Sequence, residues 1–252
     1  MKKNTERFTE RVDNYVKYRP SYPKEFIDYL YTNVGFSKDS NIADIGSGTG
    51  ILTTQLLERG SQVVGVEPNM EMRKASETLL EKYPKFVSID GTSEASGLAN
   101  NSVGFVICGQ SFHWFDQAAC QKEFQRILKP RGKVVLVWNN RRILESGFSA
   151  EYEYLLKTHT NDYNEVNHKL ITDAEFKLFF KDGVFDTVIL NNEQQFDFEG
   201  LKGRMLSSSY VPLRGEKNYN SLMVAMKEIF NKYEVNGTVS FQLDTEGYVG
   251  EV

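Results

Sequence analysis

Between Asn41 and Trp138 the chain alternates short β-branched runs with stretches whose apolar residues recur at helical period. Asn41–Ile45, Gln62–Val66, Phe86–Ile89, Val103–Cys108 and Lys133–Trp138 predict five strands. The run at Val103 is continuous rather than alternating, as in a sheet buried on both faces. Residues 50–59 predict a helix closed by Gly60. Asn69 caps a helix with Met72, Ala75 and Leu79 on one face. Asp116 caps another, with Cys120, Phe124, Ile127 and Leu128 on one stripe and Pro130 and Gly132 at its end. Upstream, Pro23 suits a first helical turn, and Phe26, Ile27, Leu30 and Val34 follow at helical spacing. Strand–helix alternation with short joins predicts βαβ units, right-handed crossovers and an α/β doubly wound, mostly parallel sheet.

The rhythm breaks after Asn140. Residues 141–182 are polar and aromatic and predict helices or an insertion, Val184–Leu190 a sixth strand, 191–235 mostly helix, and Thr238–Leu243 a closing strand. The expected organisation is one domain over 1–252. Its core is about 36–140 with 183–190 and 237–252, under an N-terminal helical lid (1–35) and a small, mainly helical cap (141–182 and 191–236).

Composition narrows the partners. A chain of 252 residues, 40% hydrophobic and 25% charged, can bury a core of its own. A net charge of −4 provides no field for nucleic acid or an anionic membrane. The longest apolar run, Val134–Trp138, is too short to span a bilayer. No apolar stretch follows the lysines of MKKNTERF, and Cys108 and Cys120 have neither disulfide nor ligand spacing, so a cytoplasmic location is expected. His159 and His168 form no zinc pattern. A monomer or homodimer is expected.

The chemistry concentrates at the first strand–helix join, Gly46-Ser47-Gly48-Thr49-Gly50. Glycines there admit positive φ and let backbone amides approach a ligand, and the following helix start adds donors. A dinucleotide fingerprint would place the third glycine where Ile51 stands, and a phosphate-binding loop would need Lys followed by Ser or Thr. Glu67, at the tip of the second strand, can accept both hydroxyls of a ribose. Turn and acid together specify an adenosine whose other end is not a diphosphate.

Ile42–Gly50 resembles motif I of class I S-adenosylmethionine-dependent methyltransferases. Val64-Gly-Val-Glu-Pro68 resembles their second motif, Ile89–Glu94 their third, and Leu128–Gly132 the turn before strand five. The likeness is strong over roughly residues 40–140. Phe8–Pro23, with Tyr15, Arg19-Pro20 and Tyr22-Pro23, and Ser111–Asp116 are similar to the methyltransferase type 11 subgroup that includes trans-aconitate methyltransferases. This resemblance implies a Rossmann-like seven-stranded sheet of order 3-2-1-4-5-7-6 with strand seven antiparallel, and S-adenosylmethionine as cofactor with S-adenosylhomocysteine as product. It places Tyr15, Arg19, Gly46, Ser47, Gly48, Glu67, Pro68, Asp90, Gly91, Thr92 and Gln110 at the cofactor, with Asp90 meeting the adenine.

Methyl transfer from a sulfonium is an in-line displacement that asks for alignment and shielding rather than a covalent enzyme intermediate. Gly109–Asp116 lies where a small-molecule acceptor would approach. His113 is the candidate general base, and its alternative role is to orient the loop. A carboxylate acceptor, ionised at neutral pH, needs no base. Trp114 is a candidate wall of the acceptor pocket, and of Trp114 and Phe115 one is expected to plug the core. Asn139 and Arg141, with Arg142, are candidates to grip an acidic substrate. Phe176, Phe179 and Phe180 are expected in the core, and Ser207–Tyr210 at a helix end in the cap. The competing readings are an NAD-dependent oxidoreductase and a non-catalytic S-adenosylmethionine-binding protein.

Overall fold

A computed structural model describes residues 8–160, 163 and 171–252. The strands are β1 (Asn41–Ile45), β2 (Gln62–Val66), β3 (Phe86–Ile89), β4 (Val103–Gly109), β5 (Leu128–Arg141), β6 (Asp186–Phe196) and β7 (Val239–Gly250). They form one sheet of order β3-β2-β1-β4-β5-β7-β6. β1 to β5 pair in parallel, and β7 runs antiparallel to both β5 and β6. The helices are α1 (Val12–Tyr18), α2 (Lys24–Tyr29), α3 (Ile51–Glu58), α4 (Met70–Leu80), α5 (Gln117–Ile127), α6 (Phe148–His159), α7 (Asp173–Phe179), α8 (Phe198–Leu206) and α9 (Tyr219–Tyr233).

Successive strand residues point to opposite faces, so the central strands feed two cores. Ile45, Val106, Cys108, Leu136 and Trp138 pack under α5 and α7. Ile42, Val63, Ile107, Val135 and Val137 pack under α2 and α3. Phe176, Phe179 and Phe180 join the first core, so α7 belongs to the sheet's face. A third cluster joins α6, α8 and α9 to Phe196, Val239, Phe241 and Leu243, at one end of the β6–β7 ladder. The expected caps are present: Asn69 Oδ1 accepts from Met72 N at 3.0 Å, and Asp116 Oδ1 from Ala119 N at 3.0 Å. Gly60 follows α3 at φ +90°.

Three segments depart from the pattern. β5 begins at Leu128 rather than Lys133: Leu128 pairs with Val103, and a register shift follows before Lys133 pairs with Phe105. β6 runs on through residues 191–196, which the polar sequence assigned to helix. It is the sheet's edge strand, paired only with β7 from Asp186–Val249 to Phe196–Val239; Asn191, Glu193 and Gln195 are exposed, while Asn192 and Gln194 turn to the lid and donate to Ser21 O (2.9 Å) and Tyr18 O (3.1 Å). β7 extends to Gly250 because its far half pairs with β5. Pro23 sits one position before α2, in extended backbone. His168 lies outside the described residues.

Candidate active site

The chain leaves β1 at Ile45 and turns through Gly46 (φ +72°) and Gly48 (φ +57°) into α3. A Cβ on Gly46 would lie 2.6 Å from Ser111 Cβ, so the β4–α5 loop can close on the turn only over glycine. A Cβ on Gly48 would meet nothing within 4 Å, so that side of the residue faces open space. The Gly48 amide donates to Glu67 Oε2 and the Asn69 amide to Oε1, both at 2.9 Å. Burial raises the Glu67 carboxyl above its ordinary range, against these two amides. Each oxygen keeps a lone pair for a further donor.

The turn opens onto a cleft of three lobes that share Tyr15 and Gln110. The first, about 830 Å³, runs from Gly46 and Gly48 past Glu67, Pro68 and Met72 to Thr92, Ser93 and Glu94, and is closed by Phe8, Trp114 and Phe115. Asp90 does not reach it: its carboxylate is exposed and pairs with Arg73 Nη2 at 3.0 Å. Gly91 is not on its wall either; a Cβ there would meet Ser96 O at 2.9 Å. The acidic end of β3 turns outward, and the loop beyond it contributes Thr92–Glu94 instead. The core plug is Phe112, fully buried, while Trp114 and Phe115 are half-buried in the cleft wall.

The second lobe holds Ser47 and Arg19 together with two residues the sequence reading passed over, Asp44 and Thr49. Asp44 is 1% exposed and accepts from Thr53 Oγ1 at 2.6 Å. Burial pushes its carboxyl up to about 7, against that hydrogen bond. A charged residue inside the apolar run Asn41–Ile45 was the available signal. Thr49 Oγ1 and Arg19 Nε are buried without a hydrogen-bond partner, polar atoms turned to where a polar ligand would complete them.

The third lobe, about 850 Å³, is lined by His113, Asn139, Arg141 and Ile143 from the sheet side and by Tyr163, Arg204, Ser209 and Tyr210 from the cap. Gln110, at its junction with the other two, adopts φ +61°, a conformation rare outside glycine and held by its amide bond to Val137 O (2.9 Å). His113 Nδ1 accepts from Trp138 Nε1 at 3.3 Å. Both ends of the Asn139 amide are engaged, Nδ2 with Ser21 O (3.3 Å) and Oδ1 with Asn192 (3.0 Å) and Thr245 (2.5 Å), so this side chain ties the lid to β6 and β7. Arg142 is not in the cleft and pairs with Asp244 and Asn191. Arg141 donates to Glu153 and to Tyr163 Oη (2.7 Å).

The lid is bound to the cap. Arg11, from the turn before α1, donates to Leu206 O (2.8 Å) and Val211 O (2.5 Å). Arg19 donates to Ser207 O (3.0 Å) and stacks on Tyr15, 4.9 Å from the ring centroid. The Ser207–Tyr210 segment ends α8, as expected.

A seven-stranded sheet of this order, with a glycine turn and an acid at the tip of β2, defines the class I S-adenosylmethionine-dependent methyltransferase fold. The family model of a methyltransferase domain matches residues 43–136. An uncharacterized methyltransferase of Mycobacterium tuberculosis is 42% identical over 134 residues, 53% of this chain and 52% of its own length. One from Schizosaccharomyces pombe is 33% identical over 135 residues, 53% of each chain. The chain thus spans about half the length of the curated relatives it matches. The crystal structure of the YcgJ protein from Bacillus subtilis superposes with a TM-score of 0.59 at 16% identity, covering 91% of this chain and all of that one. Among the described residues no helix is long and apolar enough to cross a membrane, and no cluster of metal-binding side chains occurs.

Proposed function

We propose that this protein moves a methyl group from S-adenosylmethionine to a nucleophile, an oxygen in the first instance, of a small-molecule acceptor held in the third lobe. The observation that carries the reading is the junction at Tyr15 and Gln110. There the lobe built on the glycine turn and Glu67 meets the lobe lined by arginines. The residues present suit the cofactor. Glu67 is placed to accept ribose hydroxyls, and the Thr92–Glu94 wall to face a purine. The buried Asp44 carboxyl suits an ammonium group, and the unsatisfied Arg19 Nε a carboxylate. Bound there, the cofactor supplies a methyl group activated by the sulfonium.

The chain's own task is then alignment and exclusion of water. Tyr15, Gln110 and Trp114 form the neck between the lobes. His113 lines the third lobe, and its Nδ1 accepts from Trp138 Nε1 at 3.3 Å. A nucleophile that arrives already ionised, such as a carboxylate, needs no base, and His113 is the candidate base for an acceptor that must lose a proton.

The test is the thermal midpoint with S-adenosylmethionine, S-adenosylhomocysteine and NAD in turn, followed by assay for S-adenosylhomocysteine formation with an acceptor panel. A ligand at a hundred times its dissociation constant adds about 2.7 kcal/mol, a rise of roughly 5–10 °C for a chain this long. Stabilisation by the two sulfur compounds together with turnover supports the reading. Stabilisation by NAD alone would refute it, and binding without turnover would leave a cofactor-binding protein.

A further inference from the structure

Three guanidiniums line the third lobe, those of Arg19, Arg141 and Arg204, and two of them are already matched. Arg19 is assigned above to the carboxylate of the cofactor. Arg141 donates to Glu153 and to Tyr163 Oη, and exposed Lys157 adds a second cation to Glu153 at 3.2 Å. Arg204 pairs with no carboxylate among the described residues. Its Nη1 lies 3.5 Å from Ser208 Oγ, at the limit of a hydrogen bond, and its Nε is buried without a partner. The residue is 8% exposed, and its guanidinium lies 5.4 Å from the centroid of the Phe241 ring. Burial, and then the charge of Arg19, push it down to about 10, so it is still charged at neutral pH. A ring face and one weak neutral acceptor offset only part of the cost of burying this cation.

The remaining wall is aromatic or engaged. Phe8 and Tyr15 from the lid, Trp114 from the β4–α5 loop, and Tyr163 and Tyr210 from the cap put their rings on it. These rings brace one another edge to face: Phe8 meets Tyr15 and Trp114 with centroids 5.7 and 6.3 Å apart, and Tyr163 meets Tyr210 at 4.9 Å. The Asn139 amide is satisfied at both ends, and Tyr163 Oη donates to Glu153 at 2.6 Å. Among the described residues, then, the lobe sets one unmatched positive charge against aromatic walls.

We infer that the methyl acceptor is an aromatic molecule with a single anionic group, held by Arg204 on the cap side while its ring lies among Tyr15, Trp114, Tyr163 and Tyr210. The inference rests on the methyltransferase reading above. A carboxylate edge matches the Arg204 fork, supplies the acceptor that Nε lacks, and cancels the unmatched charge. A ring among these walls buries apolar area and makes the contacts that aromatic side chains favour. A second anionic group would lose its water without gaining a cation, because Arg19 is taken by the cofactor and Arg141 by Glu153.

The experiment is calorimetric titration of the whole protein, saturated with S-adenosylhomocysteine so that Arg19 is engaged. The ligands are benzoate, 4-hydroxybenzoate and phenylacetate, against acetate, benzamide and succinate. At least one aryl carboxylate should bind about ten-fold or more tighter than benzamide, which lacks the charge, and than acetate, which lacks the ring. Succinate, with a second charge and no ring, should bind no better than acetate. Arg204→Gln should weaken the aryl carboxylate by about ten-fold or more, and Arg204→Lys should restore part of the loss. Both variants should bind S-adenosylhomocysteine within about two-fold of the unaltered protein, because Arg204 does not line the first two lobes. The proposal is overturned if no aryl carboxylate binds, if benzamide or acetate matches them, if succinate binds as tightly, or if Arg204→Gln leaves their affinity unchanged. The comparison among ligands needs no variant, so it stays decisive should Arg204→Gln fail to fold. Should S-adenosylhomocysteine itself fail to bind, the methyltransferase reading falls separately, and the same titrations into the ligand-free protein still decide the aryl-anion site.

Discussion

Cofactor affinity should depend on pH through Asp44. Its carboxyl is buried beneath the glycine turn, has one hydrogen-bonding partner in Thr53, and is pushed up to about 7 by loss of solvent. In the unfolded chain the same group titrates near its ordinary value, about 3.9. The folded protein therefore binds the extra proton between about pH 4 and 7. Stability falls as pH rises through that window, by at most about 4 kcal/mol, and the loss is complete above 7. Pairing with the cofactor's ammonium group requires the ionised form. Below pH 7 each unit should weaken binding by about ten-fold, so the dissociation constant of S-adenosylhomocysteine should rise about twenty-fold between pH 7.5 and 5.5. Near pH 6 binding should release close to one proton, measured by calorimetry in buffers of different ionisation enthalpy. Glu67 is also raised and contributes to the Asp44 shift, so Asp44→Asn is the control. A flat dissociation constant with no proton release, or an unchanged slope in Asp44→Asn, would refute the pairing.

Three further outcomes follow from the packing. Gly46→Ala places a Cβ 2.6 Å from Ser111 Cβ at φ +72°, and should cost about 1–3 kcal/mol, a drop of several degrees in thermal midpoint, with loss of stabilisation by S-adenosylhomocysteine. Phe112→Ala empties a site between Phe179, Phe115 and Trp138 and should cost about 3–5 kcal/mol by denaturant unfolding, whereas Trp114→Ala, in the cleft wall, should cost much less. Trp138→Phe removes the donor to His113 Nδ1. The variant should slow methyl transfer while the affinity for S-adenosylhomocysteine is unchanged; an unchanged rate would refute a role for this hydrogen bond.

Much of the frame was legible because it is local. The run Asn41–Ile45, the glycines that follow and Glu67 after Val66 lie within one βαβ unit, where short-range pattern specifies each element. The caps at Asn69 and Asp116 are likewise set by residues three positions apart. The polar run at 191–196 misled because its inward positions, Asn192 and Gln194, meet backbone carbonyls of the lid rather than an apolar core, so no apolar alternation marks the strand. Asp90 stands apart from the lobe for another reason. It sits at the expected place after β3, yet Arg73, on α4, draws it outward.

The residues from Asn41 to Trp138 determined the sheet's parallel half, its glycine turn and the acid beside it, since hydrophobic period, capping and positive-φ glycines act over a few residues. Only the tertiary structure decided what stands across from that turn. Arg204 reaches the cleft because α8 packs on α1, bringing its C-terminal end to the lid's Arg11 and Arg19. Gln110 is held at positive φ by a neighbouring strand, and His113 accepts at Nδ1 from Trp138 on β5. These are encounters between residues up to nearly two hundred positions apart, set by burial and charge in the assembled fold, and no periodicity along the chain encodes them.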